Sequence, residues 1–124
     1  MKKVLIIEDE KDFHRILKRQ FDLLLKGEKI CLFFATSIEE AVEMFKLHQN
    51  DLSVISFDGC IAGGGTEPNT KILAEVFRKS FKGPMIAVSG QPAFRKILME
   101  AGCSHQCPKD VLAEEITKIL LGLG

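Results

Sequence analysis

Four short runs of apolar, largely β-branched or aromatic residues set the frame for this chain: V-L-I-I at 4–7, I-C-L-F-F-A at 30–35, L-S-V-I-S-F at 52–57 and M-I-A-V at 85–88. Each is strand-length and suits a strand buried on both faces. Between them, apolar residues recur at helical spacing. The predicted inward positions are Phe13, Ile16, Leu17, Phe21 and Leu24 in the first helix, and Ala41, Val42 and Phe45 in the second. They are Ile72, Leu73, Val76 and Phe77 in the third, Phe94, Ile97 and Leu98 in the fourth, and Val111, Leu112, Ile116, Ile119 and Leu120 in the last. C-S-H-Q-C at 103–107 reads as a weaker fifth strand. Five β-α units in succession predict a parallel sheet covered on both faces, because each crossover must pass over one face and right-handed crossovers are nearly obligatory.

The breaks between segments are chemically marked. Gly27 and Gly102 supply helix stops, Ser37 with Glu40 forms a capping box, and Asn69 or Thr70 is placed to cap the third helix, which stops near Gly83-Pro84. Pro92 suits the first turn of the fourth helix, and Pro108-Lys109 makes a turn before the last. The stretch after Asp58, G-C-I-A-G-G-G-T-E-P-N, is the longest loop, and long Gly-rich loops in compact domains are often functional.

At 124 residues the chain fits one domain, residues 1–124. Lys plus Arg and Asp plus Glu both number 17, so nothing in the charge points to nucleic acid or an anionic membrane. Met1-Lys2-Lys3 has the charge of a signal peptide, but the apolar run behind it is far too short for one, and a cytoplasmic protein is expected. Cys31, Cys60, Cys103 and Cys107 follow no disulfide framework and are expected to stay thiols. Cys103, His105 and Cys107 alternate and would share one face of a strand, but zinc usually takes four ligands in turn-like pairs, so they read as buried strand residues. His14, His48 and His105 do not converge and read as structural or exposed.

In open α/β sheets, ligands bind outside the carboxyl ends of the strands. The residues there are Glu8 and Asp9 after the first strand, Asp58 after the third, Ser89 after the fourth and Lys109 after the fifth. Taken singly, each has a plain reading: the acids as a helix start, Asp58-Gly59 as a turn, Ser89 as a strand terminus, Lys109 as a solvated turn residue. Together they make chemical sense. Carboxylates and waters are what Mg²⁺ accepts, lysine adds a point charge, a carboxylate can attack phosphorus, and a hydroxyl can bind a phosphoryl oxygen.

With V-L-I-I-E-D-E at 4–10, the strand ending in Asp58, P-M-I-A-V-S-G at 84–90, A-G-C at 101–103 and Lys109 in this order, the whole chain resembles the receiver domain of two-component response regulators. The resemblance implies a flavodoxin-like α/β fold: a five-stranded parallel sheet of order 2-1-3-4-5 with five helices on both faces. It implies that Glu8 and Asp9 hold Mg²⁺ (or Mn²⁺) with Asp58 and the backbone carbonyl of Cys60. Asp58 is then the phosphoacceptor, Ser89 the switch hydroxyl and Lys109 the lysine that contacts the phosphoryl group. A histidine kinase or histidine phosphotransfer protein is implied as donor, with an unidentified downstream protein and a possible homodimer. The chain would not be an enzyme beyond self-phosphorylation and autodephosphorylation.

The chain departs from the family pattern at several points. Glu8 stands for the commoner Asp, Asp110 for a Pro, and Gln106 for an aromatic switch residue, while Gly63-Gly64-Gly65 replaces a Met-Pro and predicts a mobile or reshaped loop. Matching Asp51-Leu52 to a typical strand start would put Ser56 in the acceptor position, but Asp58 leaves the acid at the strand exit rather than buried unpaired. A phosphorylation-independent, receiver-like interaction module is the alternative. An acid-cluster phosphatase would need a second acid two residues past Asp58, where Cys60 stands. Phe94, Arg95 and Lys96, with the fifth strand and last helix, lie where the resemblance places a partner surface. With no output region after the last helix, action through protein contacts is expected, unless the chain is part of a larger regulator.

Overall fold

The computed structural model describes residues 1–61 and 65–123, so the expectation for Gly63 and Gly64 falls outside the described residues. The elements are β1 (Lys2–Ile7), α1 (Lys11–Leu24), β2 (Ile30–Ala35), α2 (Ile38–His48), β3 (Leu52–Asp58) and α3 (Lys71–Arg78). They continue as β4 (Met85–Val88), α4 (Pro92–Glu100), β5 (His105–Cys107) and α5 (Leu112–Leu120), with a 3-10 turn at Lys109–Val111. All strand pairs are parallel, in the order β2-β1-β3-β4-β5 that was expected. No helix among the described residues is long and apolar enough to cross a membrane.

The strands are buried on both faces because their apolar residues alternate between two cores. Leu5, Ile7, Ile55, Phe57, Met85 and Ala87 face α2, α3 and α4. Val4, Ile6, Val54, Ile86 and Val88 face α1 and α5. Aromatic packing anchors the first core: the rings of Phe45 and Phe77 stack with centroids 3.9 Å apart.

Several predicted helix faces are rotated in the structure. In α1 the buried positions are His14, Leu17 and Phe21, while Ile16 and Leu24 are exposed. His14 occupies the inward position because its Nε2 lies 2.6 Å from the Glu8 carbonyl and its ring stacks on Phe34 at 4.1 Å. In α3 the inward residues are Leu73, Ala74 and Phe77, leaving Ile72 and Val76 exposed. The small Ala74 is fully buried in the α2/α3/α4 core.

The caps are likewise partly reassigned. Ser37 Oγ accepts from the Glu40 N–H at 3.1 Å as a capping box requires, but the Glu40 carboxylate reaches Thr36, whose N–H donates to it at 2.7 Å. Neither Asn69 nor Thr70 caps α3 with its side chain. Asn69 instead accepts from the Ile61 N–H at 3.0 Å and donates to the Ile61 carbonyl at 2.6 Å, bracing the loop after β3. Gly27 and Gly102 do end their helices, with φ of 80° and 132°. Cys103 lies before β5, not in it, and packs in the α2/α3/α4 core, whereas Cys107 packs in the α1/α5 core. The expected shared face is therefore absent.

Candidate functional site

Strand register brings the predicted residues to one edge of the sheet. Ile7 pairs with Phe57, Asp58 with Val88, and Val88 with Cys107, so the residues that follow leave the sheet side by side. Backbone bonds extend the ladder past the strands: the Glu8 N–H donates to Ala35 at 2.9 Å, Gly59 to Val88 at 3.0 Å and Ser89 to Cys107 at 3.3 Å.

Three carboxylates meet there. Each of Glu8, Asp9 and Asp58 offers an oxygen within 4.8 Å of the others. Glu8 is 2% exposed and Asp58 8%, so their charges are removed from water. Burial, reinforced by Glu8 and Asp9 and opposed by Lys109, pushes the Asp58 carboxyl up to about 7. Burial raises Glu8 as well, against the pull of Lys109 and the Glu10 N–H. Hard oxygen donors at this spacing, too crowded to be comfortable without a cation, fit Mg²⁺ or Mn²⁺. Cys60 is half-buried, and its thiol lies 3.7 Å from the Glu67 carbonyl.

Lys109 answers part of the charge. Its Nζ lies 2.9 Å from Glu8 Oε1, 3.5 Å from Glu10 Oε1 and 3.7 Å from Asp58 Oδ1. Burial disfavours the ammonium, but Glu8, Asp58 and Glu10 outweigh it and hold its pKa above the ordinary lysine value. The Phe13 ring stands 5.3 Å from the same nitrogen, within cation–π range.

Ser89 is buried, and its Oγ accepts from the Gln91 N–H at 3.0 Å, which leaves the hydroxyl proton free to donate. Its carbonyl accepts from Arg95 Nη1 at 2.7 Å, and Arg95 Nε donates to Gln106 Oε1 at 3.3 Å. Gln106 is thus tied to the Ser89 loop through an arginine. Of the three α4 residues assigned to a partner surface, Phe94 is buried and Arg95 half-buried, leaving Lys96 exposed.

Three contributors to this edge were not legible as such in the sequence. Glu10, expected only to favour the helix start, also faces Lys109. Phe13 looked like core. Thr70 looked like a cap, but its fully buried hydroxyl donates to the Asp58 carbonyl at 2.6 Å, fixing the backbone of the central acid. No signal in the sequence marks Thr70, since its partner is a backbone carbonyl 12 positions away.

No protein-family model and no curated protein matches the sequence. Among solved structures, the signal receiver domain of a DNA-binding response regulator from Colwellia psychrerythraea 34H aligns over 99% of this chain and 98% of its own, with a TM-score of 0.72 at 19% identity. The fold is that of a response-regulator receiver domain. A receiver domain protein from Clostridium thermocellum covers 99% of this chain and 94% of its own at TM-score 0.69 and 18% identity. The receiver domain of a modulated diguanylate cyclase from Desulfovibrio desulfuricans G20 covers 99% and 93% at TM-score 0.71 and 17% identity. Both share the receiver fold.

Proposed function

We propose that the chain is a phosphoacceptor receiver that takes a phosphoryl group onto Asp58 from a histidine kinase or phosphotransfer protein, in a Mg²⁺-dependent reaction in the cytoplasm, and signals through protein contacts. The observation carrying this reading is the meeting of Glu8, Asp9 and Asp58 within 4.8 Å, with the Lys109 ammonium 3.7 Å from Asp58. The receiver fold supports it.

Glu8, Asp9 and Asp58 would hold the ion, with the Cys60 carbonyl as a further oxygen. When bound, it supplies positive charge that offsets the crowded carboxylates and the phosphoryl oxygens. Asp58, as the anion, attacks phosphorus through a carboxylate oxygen. The phosphorus–nitrogen bond to the donor imidazole breaks, and its electron pair leaves with that nitrogen. Lys109 pairs with the charge on the transferred group, and the Ser89 hydroxyl donates to one of its oxygens. Water later attacks the phosphorus, the bond to the Asp58 oxygen breaks, inorganic phosphate leaves, and Asp58 returns to its carboxylate.

Acetyl phosphate with Mg²⁺ should add one phosphate to the wild-type chain and none to Asp58→Asn, read by intact mass. Labelling that survives the substitution rejects Asp58 as acceptor. A second reading, a phosphorylation-independent interaction module with the same fold, is favoured by Glu8 in place of the commoner Asp and by Gln106, whose side chain Arg95 ties to the Ser89 loop. A calorimetric Mg²⁺ titration separates the two: saturable binding lost in Asp58→Asn supports the acceptor, and none in the wild type supports the module.

A further inference from the structure

Phe13 packs, partly buried, against the α1/α5 side of the core, which fixes its ring. That ring also stands 5.3 Å from Lys109 Nζ, and Glu10, one helical turn earlier, lies 3.5 Å from the same nitrogen. We infer that Phe13 is a positioning residue for Lys109, its ring holding the ammonium over the acid cluster and within reach of Asp58. The inference rests on Asp58 being the phosphoacceptor.

A lysine head is a compact charge on a flexible four-carbon stem, and Lys109 keeps 32% of its side chain exposed, so it has rotamer freedom to lose. Two kinds of neighbour restrain it. A carboxylate attracts the ammonium strongly but also neutralises it, as Glu8 does at 2.9 Å. An aromatic face attracts the cation through its quadrupole and carries no net charge, so it orients the lysine while leaving its charge available to an arriving phosphoryl group. Glu10 is a weaker restraint, since its side chain is 66% exposed and water screens it. The rigid member of this pair is therefore Phe13.

Phe13→Leu keeps an aliphatic side chain against the core and removes the ring, whereas Phe13→Tyr keeps the ring. In the unphosphorylated protein, NMR should show the Lys109 side-chain methylene protons shifted by the ring current, with the shift lost in Phe13→Leu and kept in Phe13→Tyr. With acetyl phosphate and Mg²⁺, Phe13→Leu should slow phosphorylation about three- to fivefold, the size of one half-exposed cation–π contact, and Phe13→Tyr should stay within about twofold of wild type. In a Lys109→Met background, Phe13→Leu should cause no further loss, because the ring acts through the lysine. Independent, multiplying effects of the two substitutions would show a merely structural role and overturn the inference, as would an unshifted Lys109 spectrum. Wild-type protein that takes no phosphate overturns the functional reading and this role with it. Labelled wild type with a Phe13→Leu variant reacting at the wild-type rate overturns this role alone.

Discussion

The Lys109 ammonium lies closer to Glu8, at 2.9 Å, than to Asp58, at 3.7 Å. The cation is thus committed to the more deeply buried of the two acids. Lys109→Met leaves Glu8 buried without it, and Glu8, already raised by burial, takes a proton more readily. The variant should be less stable than wild type by about 1–2 kcal/mol at pH 8, allowing for the partial exposure of the lysine. The deficit should be smaller at pH 5, because protonation of a carboxyl whose pKa is raised by burial removes the charge that Lys109 answers. Urea unfolding at the two pH values measures this.

Asp58 makes the metal-free protein lose stability as pH rises. Its carboxyl holds a proton to about 7 in the folded chain but releases it near 3.8 in the unfolded one. Between those values the folded state binds more protons, so stability falls with rising pH and levels off above about 7. Asp58→Asn lacks this titration. Relative to wild type it should gain on the order of 3 kcal/mol between pH 4 and pH 7.5, since each tenfold difference in proton affinity between the folded and unfolded chain is worth about 1.4 kcal/mol. Urea unfolding in a chelator gives the comparison.

Adding Mg²⁺ should narrow that gap from the wild-type side. An ion that binds the folded acids and not the unfolded chain raises stability by mass action, by about 2.7 kcal/mol at a hundredfold excess over its dissociation constant. The melting temperature of wild type at pH 7.5 should climb with Mg²⁺, and that of Asp58→Asn should climb much less.

Thr70 holds the Asp58 backbone through one hydroxyl at 2.6 Å. Thr70→Val keeps the shape and removes the donor, at a cost of about 1–2 kcal/mol in unfolding free energy. Thr70→Ser keeps the hydroxyl and should cost less, the lost methyl aside. Parallel denaturant curves distinguish a bond from a packing effect.

Burial pushes the Cys103 and Cys107 thiols each up to about 12, while Cys31 and Cys60 are half-buried. A thiol-specific disulfide reagent at pH 8 should label two cysteines in the native chain and four in urea. Rapid labelling of Cys103 or Cys107 in the native state would contradict the packing described for them.

The strands were legible because parallel strands must be apolar on both faces, so V-L-I-I or M-I-A-V admits few other readings. The site edge was legible for the same reason, since strand ends fix where Glu8, Asp58, Ser89 and Lys109 emerge. The helix faces were less so. Ile16, Ile72 and Val76 are apolar yet exposed, while His14 and Ala74 turn inward, because helix phase is set by packing in three dimensions and by a polar partner such as the Glu8 carbonyl. Residue type does not carry that information. The same limit concealed Thr70 and Phe13, whose partners lie 12 and 96 positions away in the chain by direct count from the sequence.

The acids and the lysine are mounted on unequal supports. Glu8, Asp9 and Asp58 issue from β1 and β3, each flanked by strands on both sides, whereas Lys109 issues from β5, a three-residue edge strand paired on one side only. Little ladder need open for β5 to shift, whereas moving β1 or β3 would break the sheet. The edge is therefore built with its negative half set in the interior of the sheet and its positive half at the margin, where the fewest ladder bonds hold it.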